Sequence, residues 1–105
     1  MKREMSKLLH AIGRKIKKEY RAEKVILYGS YATGKATRDS DVDLLVVAPT
    51  KERFFERMAS VRRLIRGLRD GLAVSPIVLT PGELAKRRAA GDPFVSEILQ
   101  TGVSL

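Results

Sequence analysis

Apolar residues recur along this chain at two different spacings, and the spacing predicts which segments are helices. A stripe with three- and four-residue steps predicts a first helix, and its members are Met5, Leu8, Leu9, Ile12, Ile16 and Tyr20. A second stripe of the same kind predicts a long helix, with the members Phe54, Phe55, Met58, Val61, Leu64, Ile65 and Leu68. Asp70 and Gly71 follow this second stripe and are expected to end its helix.

Short runs rich in β-branched residues predict the strands. Residues 25–28 and 42–47 are the two clearest runs, and Pro49 ends the second of them. Residues 73–79 predict a third strand, in which Pro76 favours an edge position or a bulge because proline cannot donate a backbone hydrogen bond. Residues 30–40 contain two glycines and small polar residues, which predict a short helix or turn followed by a loop.

The last third of the chain predicts two further helices. Thr80 is suited to cap a helix, Pro81 to its first position and Glu83 to a capping box, and the helix is expected to run to about residue 90. Residues 93–100 predict a final short helix, expected to turn three apolar side chains inward, Phe94, Ile98 and Leu99. Strands interleaved with helices predict one α/β or α+β domain over residues 1–105, with a small mixed sheet of three or more strands.

Composition and charge narrow the class of protein. The hydrophobic content of 44% supports one packed core, and no cysteine is present for disulfides or thiolate metal sites. The sequence shows no continuous apolar run for secretion or membrane insertion, so we expect a cytoplasmic protein without a membrane partner. The net charge of +9 attracts acidic partners or nucleic acid. Most basic residues lie in two segments with helical apolar spacing, 2–24 and 51–69, so solvated helix faces explain this charge better than a nucleic-acid surface does.

Two acidic residues with a spacing of two are the first candidates for chemistry. Asp41 and Asp43 fall in the second β run, so both side chains are expected on the same strand face. Magnesium is usually held by one or two carboxylates together with substrate phosphates, and a site without His or Cys suits it better than zinc. Alone, the pair would more simply be read as a solvated polar end of a strand.

A small turn after the first strand is the second candidate. Gly29 lets a phosphate approach the backbone closely, and the hydroxyl and amide groups at Ser30 can donate hydrogen bonds to it. Lys35 and Arg38 lie between this turn and the aspartates, where they would either neutralise a phosphate or remain exposed loop cations. Gly-Ser alone is equally typical of an ordinary turn between a strand and a helix.

Taken together, these residues resemble a known pattern. The segment from Gly29-Ser30 through Gly34 to Ser40-Asp41-Val42-Asp43-Leu44 resembles the G-S, then G, then S-D-x-D-L motif of polymerase-β-like nucleotidyltransferases. Residues 79–84 and 92–103 resemble the minimal nucleotidyltransferases (MNT) of that superfamily. The resemblance implies that Gly29, Ser30, Ser40 and Arg38 contact ATP or another nucleoside triphosphate. It also implies that Asp41 and Asp43 are catalytic and bind one or two Mg²⁺ ions.

The resemblance also bears on partners and on activity. Minimal nucleotidyltransferases commonly pair with helical HEPN proteins as antitoxins, so the implied reaction transfers a nucleoside monophosphate to a hydroxyl, on a HEPN partner. Active members of the family usually place a third carboxylate at the position that Ser75 occupies here. A serine hydroxyl is a poor magnesium ligand and a poor general base. The alternative is therefore a weakened or inactive MNT that acts as a protein- or RNA-binding antitoxin module, and the oligomeric state stays open.

Overall fold

A computed structural model describes residues 2–105 of the chain. Helices and strands alternate along most of it, as the apolar pattern predicts. The elements are α1 Arg3–Glu19, β1 Lys24–Tyr28, α2 Ser30–Thr33, β2 Val42–Val47, α3 Phe54–Ile65, β3 Val74–Leu79, α4 Pro81–Ala89, α5 Pro93–Thr101 and β4 Val103–Ser104. The expected α/β class with a small mixed sheet is therefore confirmed.

The four strands form one sheet in the order β3-β2-β1-β4. β1 is antiparallel to both β2 and β4, whereas β2 and β3 are parallel and are connected through α3, because parallel neighbours need a crossover. β3 is thus an edge strand, which confirms the position that Pro76 favours. β2 is central and reads as a nearly continuous apolar run because it is covered on both faces.

Each face of the sheet has its own apolar core. α1 and α3 cover the first face, and their buried side chains there are Leu9, Ile12, Ile16, Val61 and Ile65. α4 and α5 cover the second face with Leu84, Val95 and Ile98. Alternate strand residues belong to alternate faces, so Val42 and Leu44 join the first core while Leu45 and Val47 join the second. The result is three layers, with the sheet in the middle.

The predicted start of α4 forms as the sequence indicates. The Thr80 hydroxyl accepts a hydrogen bond from the Glu83 amide at 3.1 Å, and the Glu83 carboxylate accepts one from the Thr80 amide at 2.8 Å. This reciprocal capping box satisfies two amides that the helix itself leaves free. Asp92 likewise caps α5 by accepting hydrogen bonds from the amides of Phe94 and Val95. Both helix starts are therefore fixed by local sequence.

Two features of the helices differ from the expectations. α3 ends at Ile65 and continues as turns through Arg69, although Leu68 still packs against the first core. Phe94 was expected to point inward and does not: it is 39% exposed and meets the ring of Tyr28 edge-on, with 5.6 Å between the ring centres. Val95 takes the inward position instead, because it lies three and four residues before Ile98 and Leu99 on one helix stripe.

The sequence did not predict the short strand β4. It pairs with the middle of β1, and the Leu105 amide donates to the Val25 carbonyl at 2.8 Å. Gly13 makes this possible, since a Cβ there would lie 2.7 Å from the Cβ of Leu105, which is buried against α1. Among residues 2–105, no helix is long and apolar enough to cross a membrane.

Candidate active site

The start of β2 carries the two acidic side chains that the sequence singles out. Asp43 lies on the same sheet face as Leu45 and Val47, whereas Val42 and Leu44 are fully buried on the other face. Asp41 comes one residue before the strand begins, rather than within it as expected. Asp41 is exposed and Asp43 is half-buried at the end of the sheet. The pair therefore occupies a rim where solvent and sheet meet.

The electrostatic environment of Asp43 is unfavourable for its own charge. Burial raises the pKa of the Asp43 carboxyl above its ordinary value, and the nearby charge of Asp41 raises it further. The ion pairs of residues 2–105 do not include either aspartate. Two adjacent carboxylates without a counter-charge are an arrangement that a cation would stabilise.

The turn after β1 comes into direct contact with Asp43. Tyr28, the last residue of β1, pairs across the sheet with Asp43, and Gly29 follows it with φ of 75°. A Cβ on Gly29 would lie 2.5 Å from the Asp43 carboxylate oxygen Oδ2, closer than real Cβ atoms come to their neighbours. Glycine is thus required here both by the left-handed backbone and by the carboxylate beside it. The structure brings the predicted turn and the predicted acid together.

Ser30 begins α2 at this same point. The carbonyl of Gly29 accepts the amides of Ala32 and Thr33, at 3.1 and 3.2 Å, which closes the short helix. The amides of Ser30 and Tyr31 precede these bonds and belong to the group of first-turn amides that a helix cannot pair internally. Half-buried Ser30 therefore presents its hydroxyl and first-turn amides next to the Gly29–Asp43 contact.

The loop between α2 and β2 holds the remaining predicted residues. The Ser40 hydroxyl accepts the Thr37 amide at 2.8 Å, and the Ser40 amide donates to the Thr37 carbonyl at 3.1 Å. Ser40 thereby closes a turn immediately before Asp41. Arg38 and Lys35 are exposed. Of the six predicted site residues, Gly29, Ser30, Asp41 and Asp43 come together at the sheet end, Ser40 supports the adjoining loop and Arg38 extends from it.

Ser75 lies beside the aspartates on the other side of β2. It is the parallel register partner of Asp43, and it shares the second face of the sheet with Ile77 and Leu79. Tyr28, Asp43 and Ser75 thus form a row across three neighbouring strands. A carboxylate at the Ser75 position would stand directly beside Asp43, whereas the serine leaves the site with two acids.

Sequence reasoning missed the aromatic side of this site. Burial raises the pKa of Tyr28 first, and the charge of Asp43 adds to that effect. Tyr28 and Phe94 line a cavity of about 220 Å³ that reaches Gly29. The position of Tyr28 directly before Gly29 was the available signal, but its pairing with Asp43 depends on the strand register. The contact with Phe94 depends on how α5 packs.

Hard-oxygen ligands at this site suit magnesium on a phosphate substrate. Two carboxylates are the usual protein contribution to such a site, the remaining ligands being phosphate oxygens and water. Within the part of the chain that the structure describes, no group of three or more His, Cys, Asp or Glu side chains is placed to hold a metal by itself. The residues fit a metal that arrives with a phosphate, and they lack the ligands of a closed structural site.

Comparison with known proteins agrees with this chemistry. The family described as "Nucleotidyltransferase domain" matches residues 7–103, nearly the whole chain. A crystal structure from Sulfolobus solfataricus, provisionally named a nucleotidyltransferase, is similar in fold, with a TM-score of 0.57 and 34% sequence identity. That similarity covers 76% of this chain and 70% of the other.

A protein from Methanocaldococcus jannaschii, provisionally named a protein adenylyltransferase, is 37% identical over 78 residues. The match covers 71% of this chain but 52% of that protein, so the chain spans about half the length of this relative.

Proposed function

This chain belongs to the nucleotidyltransferase domain family, and we propose that it transfers a nucleoside monophosphate from a magnesium-bound triphosphate to a hydroxyl. Asp41 and Asp43 hold the metal, and the turn at Gly29 and Ser30 holds the phosphates. The observation that carries this proposal is the contact between Gly29 and Asp43, where a Cβ would lie 2.5 Å from the carboxylate. This contact supports the proposal, because it brings the turn proposed to bind phosphate within reach of the acid proposed to bind the metal.

The aspartates favour this role through their electrostatics. The raised pKa of Asp43 reflects burial and the charge of Asp41, and the ion pairs formed by residues 2–105 leave both carboxylates out. Magnesium bound there would neutralise charge on the triphosphate and on the leaving pyrophosphate. Ser30 donates its hydroxyl and amide hydrogens to phosphate oxygens, and Gly29 leaves room for them.

The reaction is an in-line displacement at the α-phosphorus. The acceptor oxygen forms a bond to the α-phosphorus while the bond between that phosphorus and the pyrophosphate oxygen breaks. The hydroxyl proton leaves to water. Pyrophosphate departs toward the Gly29–Ser30 turn. Arg38 contributes positive charge from the exposed loop, and Ser40 keeps that loop closed beside Asp41. The chain's residues thus act by positioning and by charge stabilisation.

The donor and acceptor in this proposal are ATP and a protein. The name of the Methanocaldococcus jannaschii relative refers to adenylyl transfer to protein, and the resemblance to minimal nucleotidyltransferases suggests a HEPN-type helical partner. The positive net charge of +9 favours an acidic surface on that partner.

A transfer assay with α-labelled ATP, Mg²⁺ and a cell extract as the source of acceptor proteins tests the proposal. Asp41→Ala and Asp43→Ala should each lower labelling by at least about a hundredfold, because removing one charge-stabilising group commonly costs that much. Circular dichroism should show both variants folded. Labelling that persists in both variants, or no labelling by the wild-type chain, would contradict the proposed chemistry.

Ser75 favours a second candidate, a binding module with little or no catalysis. Because the register partner of Asp43 is a serine, the site lacks a third carboxylate that would activate the acceptor hydroxyl. This candidate predicts tight binding to the partner protein without label transfer, retained in Asp41→Ala and Asp43→Ala. An RNA-binding version instead predicts affinity that falls steeply as salt concentration rises.

A further inference from the structure

The edge of the sheet formed by β3 carries an exposed apolar surface, which we call the α3–β3 patch. It consists of Phe54, Phe55 and Met58 from α3 and Ile77 from β3. Phe54 is 50% exposed and Phe55 is 71% exposed, while Met58 and Ile77 are half-buried around a cavity of about 120 Å³. Contiguous exposed aromatic and aliphatic side chains of this kind mark interaction surfaces.

The backbone beside the patch is already occupied. Arg62 Nε donates to the Val74 carbonyl at 3.1 Å, and Arg57 Nη1 donates to the Val78 carbonyl at 3.0 Å. Pro76, between these two residues, has no amide hydrogen to offer. An added strand would therefore find few free groups along β3, so a partner must bind through side chains.

The surroundings of the patch are positively charged. Phe55, Met58 and Arg62 recur at spacings of three and four residues and so lie along one side of α3, and Arg66 continues this row just after the helix ends. The one acid within α3, Glu56, accepts a hydrogen bond from the Arg53 amide at 2.9 Å and so stabilises the start of the helix. The patch thus offers an apolar centre with a basic rim, which complements an apolar protein segment flanked by acidic residues.

The order of the strands places this patch on the β3 side of β2, from which the acceptor would enter in the proposed reaction. The phosphate turn follows β1, on one side of β2, whereas β3 lies on the other side. In an in-line displacement the attacking oxygen approaches opposite the leaving group. With pyrophosphate leaving toward Gly29, the acceptor must enter from the Ser75 side, and Ile77 lies only two residues along the same strand face.

We propose that the α3–β3 patch docks the acceptor protein, through an apolar segment with acidic neighbours, and so delivers the acceptor hydroxyl beside Ser75. The inference rests on the proposed function. It adds a substrate-recognition surface outside the residues that hold the nucleotide. The aliphatic members Met58 and Ile77 favour a protein over RNA, because aliphatic side chains offer no ring on which a base could stack.

The probe is the acceptor protein that becomes labelled when the wild-type chain is incubated with α-labelled ATP and a cell extract. This acceptor is purified and used for the kinetic measurements. Phe55→Glu should raise the KM for this acceptor at least tenfold, while kcat at saturating acceptor and the Kd for Mg-ATP stay within twofold. Arg66→Glu should raise the same KM by a smaller factor, and less so at high salt. Because Phe55 and Arg66 are exposed, both variants should keep the wild-type unfolding temperature.

Two charge-matched controls make the result specific. Val103→Glu places the same charge at an exposed apolar residue on the opposite edge of the sheet, and Arg14→Glu reverses an exposed arginine on α1. Neither should change the acceptor KM. An unchanged KM in Phe55→Glu, an equal rise in Val103→Glu, or label found only in RNA would overturn the docking proposal. Absence of any label would instead overturn the proposed function.

Discussion

Acidic side chains near the two ends of the β2–β3 pair have pKa values shifted in opposite directions. Where β2 begins, burial and Asp41 raise the pKa of the Asp43 carboxyl. Beyond the far end of β3, hydrogen bonds from Arg57 lower the pKa of Glu83 to about 2, with further help from the Thr80 amide. Arg57 itself is 6% exposed and bonds to Glu83 through both terminal nitrogens, at 2.6 and 3.2 Å.

This difference separates structural acids from candidate catalytic ones. Glu83 is satisfied within the chain, since it completes a capping box and holds α4 against α3. The raised pKa of Asp43 means that its ionised carboxylate costs stability unless a ligand compensates. No side chain larger than glycine fits beside it at position 29. The acid without an ion-pair partner, rather than the most strongly bonded one, therefore marks the candidate site.

The largest effect should come from filling the space beside Asp43. Gly29→Ala adds a Cβ at 2.5 Å from the Asp43 carboxylate and strains a backbone with φ of 75°. We expect transfer to fall on the order of a hundredfold, because small misplacements of catalytic groups cost that much. Gly91→Ala is the matched control, with φ of 73° and nothing within 4 Å of the added Cβ. Similar activity in the two variants would show that the close contact does not matter.

Breaking the ion pair between Arg57 and Glu83 should lower the stability of the fold and leave the rate of transfer unchanged. Arg57→Ala leaves the Val78 carbonyl and Glu83 without their partner, at a cost of about 2 kcal/mol in the free energy of unfolding. Arg87→Ala removes the long, partly exposed ion pair with Asp92 and should change stability by under about 1 kcal/mol. Urea unfolding measures both. A loss of Mg-ATP affinity in Arg57→Ala would mean that the two ends are not independent.

Adding a third acid beside Asp43 should raise the rate of transfer. Ser75→Asp places a third carboxylate at the register partner of Asp43, and we expect transfer to rise about tenfold, or about 1.4 kcal/mol in the barrier. Without Mg²⁺ the same variant should unfold more easily, because three like charges repel one another. Ser75→Asn is the control, because asparagine is similar in size to aspartate but carries no charge. A rate that does not respond would favour the binding-module alternative.

The smallest expected effect is a difference in the pH dependence of stability. Glu83 has a lowered folded pKa of about 2 against 4.5 unfolded, so its stabilisation is present above 4.5 and is lost as pH falls toward 2. Wild type and Glu83→Gln should therefore converge over that range in urea unfolding. Asp43 has a raised folded pKa, so its destabilising effect grows as pH rises through that value. Asp43→Asn should be the more stable protein at neutral pH, and equal stabilities there would contradict the assigned environment.

Much of the local structure follows from the sequence alone. The bounds of β2 are those that the apolar run indicates, and the capping box at Thr80 forms as its residue types require. The pairing of Gly29-Ser30 with Asp41 and Asp43 was also foreseeable, because both segments end or begin adjacent strands. Helix periodicity, capping and strand runs are short-range properties, and nearby residues specify them.

Other features depended on contacts between distant segments. From the sequence, Arg57 is only one of several cations on a charged helix. Its side chain is nevertheless buried, because α4 brings Glu83 within ion-pair distance of it. Phe94 faced outward because Val95 fits the second core better, and the two-residue strand β4 formed because Gly13 leaves space for Leu105. Every helix and strand except β4, together with the candidate acids, could thus be predicted from short-range patterns in the sequence. Which acid is paired and which has no partner in the chain depends on strand register and helix packing, so it could be read only from the folded structure.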